Sequence, residues 1–205
     1  MAPLWSAAKR GIDVVGSAAL MVVLSPLLAG IAAVVKLADR DSIIFSDERI
    51  GRDGSKFLCH KFRTMVPNAK SVLEDVLASD PEKRAEWARD EKLRNDPRIT
   101  AIGRFLRKTS LDELPQLWNV MRGDMSLVGP RPASEEGLKQ YGRAARWYKA
   151  VRPGMTGLWQ VSGRNKVSFR RRIVLDIYYV QTQGLLLDLR ILLSTIRVVI
   201  NCDGH

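Results

Sequence analysis

From Gly11 to Val35 the chain is almost wholly apolar, interrupted only by Asp13, Gly16, Ser17, Ser25, Pro26 and Gly30. About 20 apolar residues suffice to cross a bilayer, so the length allows a membrane helix. The run is too long for a removable signal peptide and has no small-residue cleavage site. Lys9 and Arg10 precede it and Lys36 and Arg40 follow it. Basic residues favour the cytoplasmic side, so both ends of the run point to the same side. Ser25-Pro26 stands at its middle, where proline removes a backbone donor and breaks a helix, and the serine hydroxyl can re-satisfy part of the freed backbone. The pattern therefore allows a re-entrant helix turned at Ser25-Pro26, a kinked span or a buried core helix.

Beyond it the periodicities shorten. Ser42 to Ile50 and Ser55 to Met65 alternate around Gly51-Arg52-Asp53-Gly54 and predict a β-hairpin. Asn68 to Asp96 is strongly charged, with Val72, Leu73, Val76 and Leu77 at helical spacing. Within it Ser79-Asp80-Pro81-Glu82 predicts a helix restart, a capping residue standing ahead of proline, and Asn95-Asp96-Pro97 is expected to end the helix. Ile102 to Leu106 and Leu114 to Met121 carry a helical apolar pattern. Arg152 to Gly163 is glycine-rich and is expected to be a loop that approaches a ligand closely. Phe169 to Gln181 reads as a helix. Leu185 to Ile200 is very apolar but carries Asp188, Arg190 and Arg197, which fits an amphipathic interfacial helix better than a second span.

Composition narrows the partners. A net charge of +11 calls for an anionic partner: nucleic acid, a phosphorylated substrate or an anionic lipid surface. No nucleic-acid-binding motif is present, and the apolar segment argues against such a role. Cys59 and Cys202 form no metal or disulfide pattern, and with only His60 and His205 a histidine triad or zinc site has too few ligands.

The chemistry concentrates in residues 109–132. Asp112 and Glu113 follow the basic pair Arg107 and Lys108, and Gly129-Pro130-Arg131-Pro132 comes shortly after. A carboxylate near cations is expected to keep a low pKa and stay ionised, as suits a nucleophile or a metal ligand. Asp112 is also expected near a helix start, where the dipole favours the charged form. An arginine between two prolines has little backbone freedom, which suits holding a phosphate. The same residues also fit an exposed helix start, and local chemistry does not choose between the two.

Wider patterns do choose. Ser110-Leu111-Asp112-Glu113-Leu114-Pro115-Gln116 and Gly123-Asp124-Met125-Ser126-Leu127-Val128-Gly129-Pro130-Arg131-Pro132 resemble the signature of the bacterial sugar transferases, the monotopic polyprenyl-phosphate phosphoglycosyl transferases. The resemblance takes in Lys61-Phe62-Arg63-Thr64-Met65, Arg152 to Arg164, Leu175 to Tyr179 and Leu187 to Leu192, and runs from about residue 8 to 199. It is closest to the small type that consists of the catalytic domain alone.

What the resemblance implies is specific. The fold would be α+β and mainly helical. A re-entrant amino-terminal membrane helix (residues 1–40, broken at Ser25 and Pro26) would precede a small cytoplasmic-face catalytic domain (41–205) with a short β-hairpin and amphipathic interfacial helices. Asp112 would attack the β-phosphorus of a UDP-sugar, release UMP and pass the sugar phosphate to undecaprenyl phosphate, with magnesium (Mg2+) neutralising diphosphate charge. Asp112 and Glu113 are the catalytic and metal-binding candidates. Arg131, Arg107, Lys61, Arg63, Pro130, Pro132, Gln160 and Arg164 are the substrate- and phosphate-binding candidates. Asp176 and Asp188 match family acids whose roles, catalytic or structural, stay open. The sugar would be glucose or galactose. The location would be the cytoplasmic face of a bacterial inner membrane, with anionic lipids as partners, room for a homo-oligomer and no nucleic acid. The competing class, a non-catalytic basic membrane-surface module, explains the charge but leaves Asp112-Glu113 and the Pro-Arg-Pro turn without a reason.

Overall fold

The computed structural model describes residues 3–39, 41–90, 93–163 and 167–200. Helix α1 (Pro3–Val23) and helix α2 (Ser25–Asp39) meet at Leu24 with a bend of 64°. The break falls at the expected Ser-Pro pair, and the Ser25 hydroxyl donates to the Val22 carbonyl (2.8 Å), one of the groups a proline leaves short of a donor. No single described helix is long and apolar enough to cross a membrane; α1 and α2 reach that length and composition only together. Asp13 does not face lipid. It is 3% exposed, and its carboxylate accepts the Leu127 backbone N–H at 3.0 Å.

Strands β1 (Ile44–Ile50) and β2 (Lys56–Phe62) pair antiparallel, Ile44 opposite Phe62 and Ile50 opposite Lys56. The turn between them puts Asp53 and Gly54 at positive φ, as the Asp-Gly pair allows. Alternation sets Phe57, Cys59 and Lys61 on one face of β2; the first two are buried, and Lys61 carries that face past the core to the site. Helices α3 (Ala69–Ser79) and α4 (Pro81–Asp90) meet at Asp80, whose carboxylate accepts from the N–H groups of Glu82 and Lys83. The described part of α4 runs to Asp90, and the chain is no longer helical by Leu93, ahead of Asn95-Asp96-Pro97, where Asp96 holds Arg98 in a turn.

Helix α5 (Ala101–Thr109), capped by Thr100, and helix α6 (Gln116–Arg122) flank a 3-10 turn, Leu111–Glu113. Strand β3 (Ser126–Val128) is wholly buried. Helices α7 (Glu135–Lys139) and α8 (Ala145–Lys149) lead to strand β4 (Gly154–Thr156), which pairs parallel with β3. Helices α9 (Leu158–Val161), α10 (Phe169–Thr182) and α11 (Leu185–Ile200) complete the described chain.

The glycine-rich stretch is not an open loop: it forms β4 and α9. Glycine at 129, 154 and 157 lets two backbones pass at close range: a Cβ on Gly154 would overlap the Gly129 nitrogen, and one on Gly157 the Gly129 carbonyl oxygen. Trp159, 8% exposed, packs into this region under the Arg172 guanidinium, 4.5 Å from the ring centre. The main core joins Phe57, Leu117, Val120, Met125, Val128, Tyr179 and Ile191, and a second cluster packs Ile31 and Val35 of α2 on Phe62 and Leu106. The architecture is mainly helical with one short antiparallel hairpin, as expected, and adds a parallel strand pair that the pattern did not suggest.

Candidate active site

The 3-10 turn carrying Asp112 and Glu113 hangs from the carboxyl end of α5. Ser110 closes α5 in the left-handed conformation (φ 59°), a costly geometry for a residue with a Cβ. The turn is thereby aimed back at β2.

Glu113 is gripped from two sides. Lys61 donates at 2.7 Å, and Arg131 donates through both terminal nitrogens, at 2.5 and 3.2 Å, in a bidentate fork. Burial works to raise the Glu113 pKa, but Arg131 and Lys61 overcome it and hold the carboxylate far below its ordinary range. Asp112 has the opposite surroundings. Its carboxylate accepts no hydrogen bond from the described residues, and it is 8% exposed. Burial, reinforced by the Glu113 charge, pushes its pKa up to about 6 against the pull of Lys61, Arg107 and Arg131.

This corrects the expectation of a low pKa at Asp112. Lys61 and Arg131 are spent on Glu113, and although Asp112 does stand in the first turn of the 3-10 helix Leu111–Glu113, as expected, burial outweighs what that position and Arg107 offer its charge. The low pKa belongs to its neighbour.

Arg131 owes its position to backbone on both sides. Pro130 is fully buried and its carbonyl accepts from Gly154 N–H at 2.8 Å. Beyond Pro132, Ala133 N–H donates to the Tyr148 hydroxyl (2.9 Å), which donates in turn to the Ile50 carbonyl (2.7 Å). Tyr148 thus ties the end of β1 to the Pro-Arg-Pro turn. Arg107 reaches the site from α5: its Nε donates to the Thr64 hydroxyl at 2.9 Å, and its charge acts on Asp112. Cys59 forms part of the floor; burial first, then Glu113, raise its pKa to about 11 against Lys61, so it stays a thiol.

Lys61, Arg107, Asp112, Glu113 and Arg131 converge, with Pro130 and Pro132 framing the last. Arg63 does not join them; it pairs with Asp41 at 3.0 Å and is absent from the charges acting on either acid. Gln160 donates to the Met155 carbonyl at 3.2 Å and helps hold β4. Arg164 lies outside the described residues. Asp188 accepts from Lys9 (2.5 Å) and from the Tyr179 hydroxyl (2.8 Å), so it ties α11 to α1 and α10. Asp176, 2% exposed, accepts from the Tyr141 hydroxyl at 2.7 Å, and burial raises its pKa to about 7. Arg172 links that pair to the site, since its charge feels both Arg131 and Asp176.

Thr64, Tyr148 and Asn119 were not foreseen. Asn119 accepts from His60 N–H and donates to the Leu58 carbonyl, joining α6 to β2. Such bonds between distant segments leave no local pattern, although Thr64 stands inside the Lys-Phe-Arg-Thr-Met block.

Residues 4–202 match the family described as bacterial sugar transferase. The chain is 55% identical to a UDP-galactose-lipid carrier transferase of Erwinia amylovora and 50% identical to an undecaprenyl-phosphate galactose phosphotransferase of Salmonella typhimurium. Each alignment covers 96% of this chain and 41% of that relative, so the chain spans about two fifths of their length. The exopolysaccharide production protein ExoY of Sinorhizobium fredii is 47% identical, with 96% of this chain and 87% of that protein covered.

Proposed function

The chain belongs to the bacterial sugar transferase family, and from that premise we propose that it moves a hexose 1-phosphate from a UDP-sugar to undecaprenyl phosphate through an aspartyl intermediate. The observation that carries the mechanism is the division of labour between two neighbouring acids. Glu113 is fully paired and acts as a fixed negative charge that holds Lys61 and Arg131. Asp112 is buried and unpaired, and so is the nucleophile. Its pKa, raised to about 6, still lies below pH 7, and a largely buried carboxylate without hydrogen bonds is more reactive than a fully solvated one.

Asp112 attacks the β-phosphorus, an Asp–phosphorus bond forms, and UMP leaves. An oxygen of the lipid phosphate then attacks the same phosphorus and frees the carboxylate. Phosphate oxygens compete with Glu113 for the Arg131 fork, which is 34% exposed, while the Arg107 charge favours the ionised form of Asp112. The donor set suits magnesium. Asp112 offers a hard carboxylate free of other cations, whereas Glu113 is held by Lys61 and Arg131, and Mg2+ takes one or two carboxylates, completing its shell from phosphates and water. Among the described residues no group of three or more His, Cys, Asp or Glu gathers, so the substrate would supply the remaining ligands. When bound, the cation neutralises diphosphate charge.

The membrane reading belongs to the same proposal. Residues 1–40 would form a re-entrant segment, supported by the 64° bend and by the basic Lys9, Arg10 and Lys36 at its ends. Residues 41–205 would form the catalytic part at the cytoplasmic face. The names of the relatives favour galactose over glucose. Purified chain incubated with undecaprenyl phosphate and a panel of UDP-sugars should release UMP from UDP-galactose fastest. Release from none of them would refute the activity, and fastest release from another sugar would refute the choice of galactose.

A further inference from the structure

A second group of cations lies apart from the catalytic turn. Lys9, Arg10, Asp13, Arg52, Arg152 and Gln183 line an open cleft of about 430 Å³, mouth included, between α1, the hairpin turn and the segment after α8. Arg10 donates both terminal nitrogens to the Val120 and Met121 carbonyls at the end of α6, at 2.6 and 2.7 Å. Arg152 donates its Nε to the Gly123 carbonyl at 2.7 Å. These bonds fix both guanidiniums to carbonyls of the 120–123 stretch, and the Arg152 terminal nitrogens reach no described acceptor. Arg52 stands 46% exposed across the cleft, bonded to Asp53.

The crowding registers at Arg152, where burial first, then the charges of Arg52 and Arg10, hold the guanidinium below its ordinary pKa. Asp13 and Asp53 pull the other way, and no residue of the Lys61–Glu113–Arg131 centre acts on it. Lys9 is already matched by Asp188, and Asp13 is engaged by the Leu127 N–H. Arg10, Arg52 and Arg152 therefore outnumber the two acids near them, Asp13 and the exposed Asp53, and an anion in the cleft would relieve their repulsion while taking charge-assisted bonds from arginine forks.

The neighbouring surface says which anion. A mostly apolar hollow that shares Lys9, Asp13 and Val128 with the cleft is lined by Ile12, Leu185, Leu189 and Leu192, of which Ile12, Leu185 and Leu189 are 43%, 45% and 45% exposed. Apolar surface beside a cationic cleft matches an amphiphile whose head carries phosphate. We propose that the Arg10–Arg52–Arg152 cleft binds a phosphate group outside the catalytic centre, supplied by the headgroup of an anionic lipid.

The test uses the full chain purified in detergent, with binding measured for dioctanoyl phosphatidic acid, dioctanoyl phosphatidylcholine and inorganic phosphate. Phosphatidic acid should bind at least tenfold more tightly than phosphatidylcholine. Arg52→Gln with Arg152→Gln should remove most of that preference, whereas Lys70→Gln with Lys139→Gln, an equal loss of charge elsewhere on the surface, should leave it within twofold. Arg52→Gln alone touches no backbone bond and should weaken binding severalfold, which keeps the test sound should the double variant unfold. Inorganic phosphate that binds as tightly as the lipid, and with the same dependence on Arg52 and Arg152, would keep the cleft but overturn the lipid as its source. Equal losses in the two double variants, or a loss confined to Arg131→Ala, would overturn the cleft as a site.

Discussion

At Asp112 two demands compete. A nucleophile gains from losing its water shell, whereas an ion buried without a partner costs stability. The folded pKa of about 6 stands above the ordinary 3.8, so between those values the folded chain holds more protons than the unfolded one. Stability therefore falls as pH rises through that window, and ionised Asp112 costs at most about 3 kcal/mol above it. Asp112→Asn should raise the melting temperature at pH 7.5 by several degrees, at about 2–4 °C per kcal/mol for a chain of this size, and leave it unchanged below pH 4. Thermal melts at the two pH values check this, and a lower melting temperature at pH 7.5 would contradict it. The acid pair itself was legible in the sequence. Which acid took the cations was not, because that depends on Lys61 and Arg131, distant in the chain, both reaching Glu113.

Elements declared by local chemistry were legible: the hairpin by its Asp-Gly turn, the restart at Pro81 by Asp80, the break in the first helix by Ser25-Pro26. The β3–β4 pair was not, because two three-residue strands with residues 129–153 between them are paired by packing alone. The glycines divide the same way. Gly30 has nothing within 4 Å of a would-be Cβ, whereas one on Gly103 of α5 would overlap the Thr64 carbonyl oxygen. Gly30→Ala should stabilise by up to about 1 kcal/mol through helix propensity. Gly103→Ala should push α5 off Thr64, loosen the Arg107–Thr64 bond, and cost about 3 kcal/mol or more by overpacking. Denaturant midpoints of the two variants measure both effects, and equal midpoints would contradict the close approach.

For the whole molecule, the net charge of +11 and the exposed apolar residues Val15, Val22, Val23, Val34 and Leu37 on α1 and α2 have to be reconciled in one orientation. A re-entrant segment does so by leaving Lys9 and Lys36 on the same side. Cysteines introduced at Pro3 and Ser55, in a chain carrying Cys59→Ala and Cys202→Ala, should both resist an impermeant reagent in intact cells. Ser25→Ala with Pro26→Leu should straighten the segment and expose the Pro3 label in part of the population. External labelling at Pro3 without that change would mean that the segment spans. The most direct test of the central claim is the mass of the intact protein after incubation with UDP-galactose and Mg2+ in the absence of any lipid acceptor. The account predicts one hexose phosphate per chain, located on Asp112, with one equivalent of UMP released and neither product from Asp112→Asn. UMP formed only when undecaprenyl phosphate is present, with no adduct on the protein, would show direct transfer between substrates and contradict it.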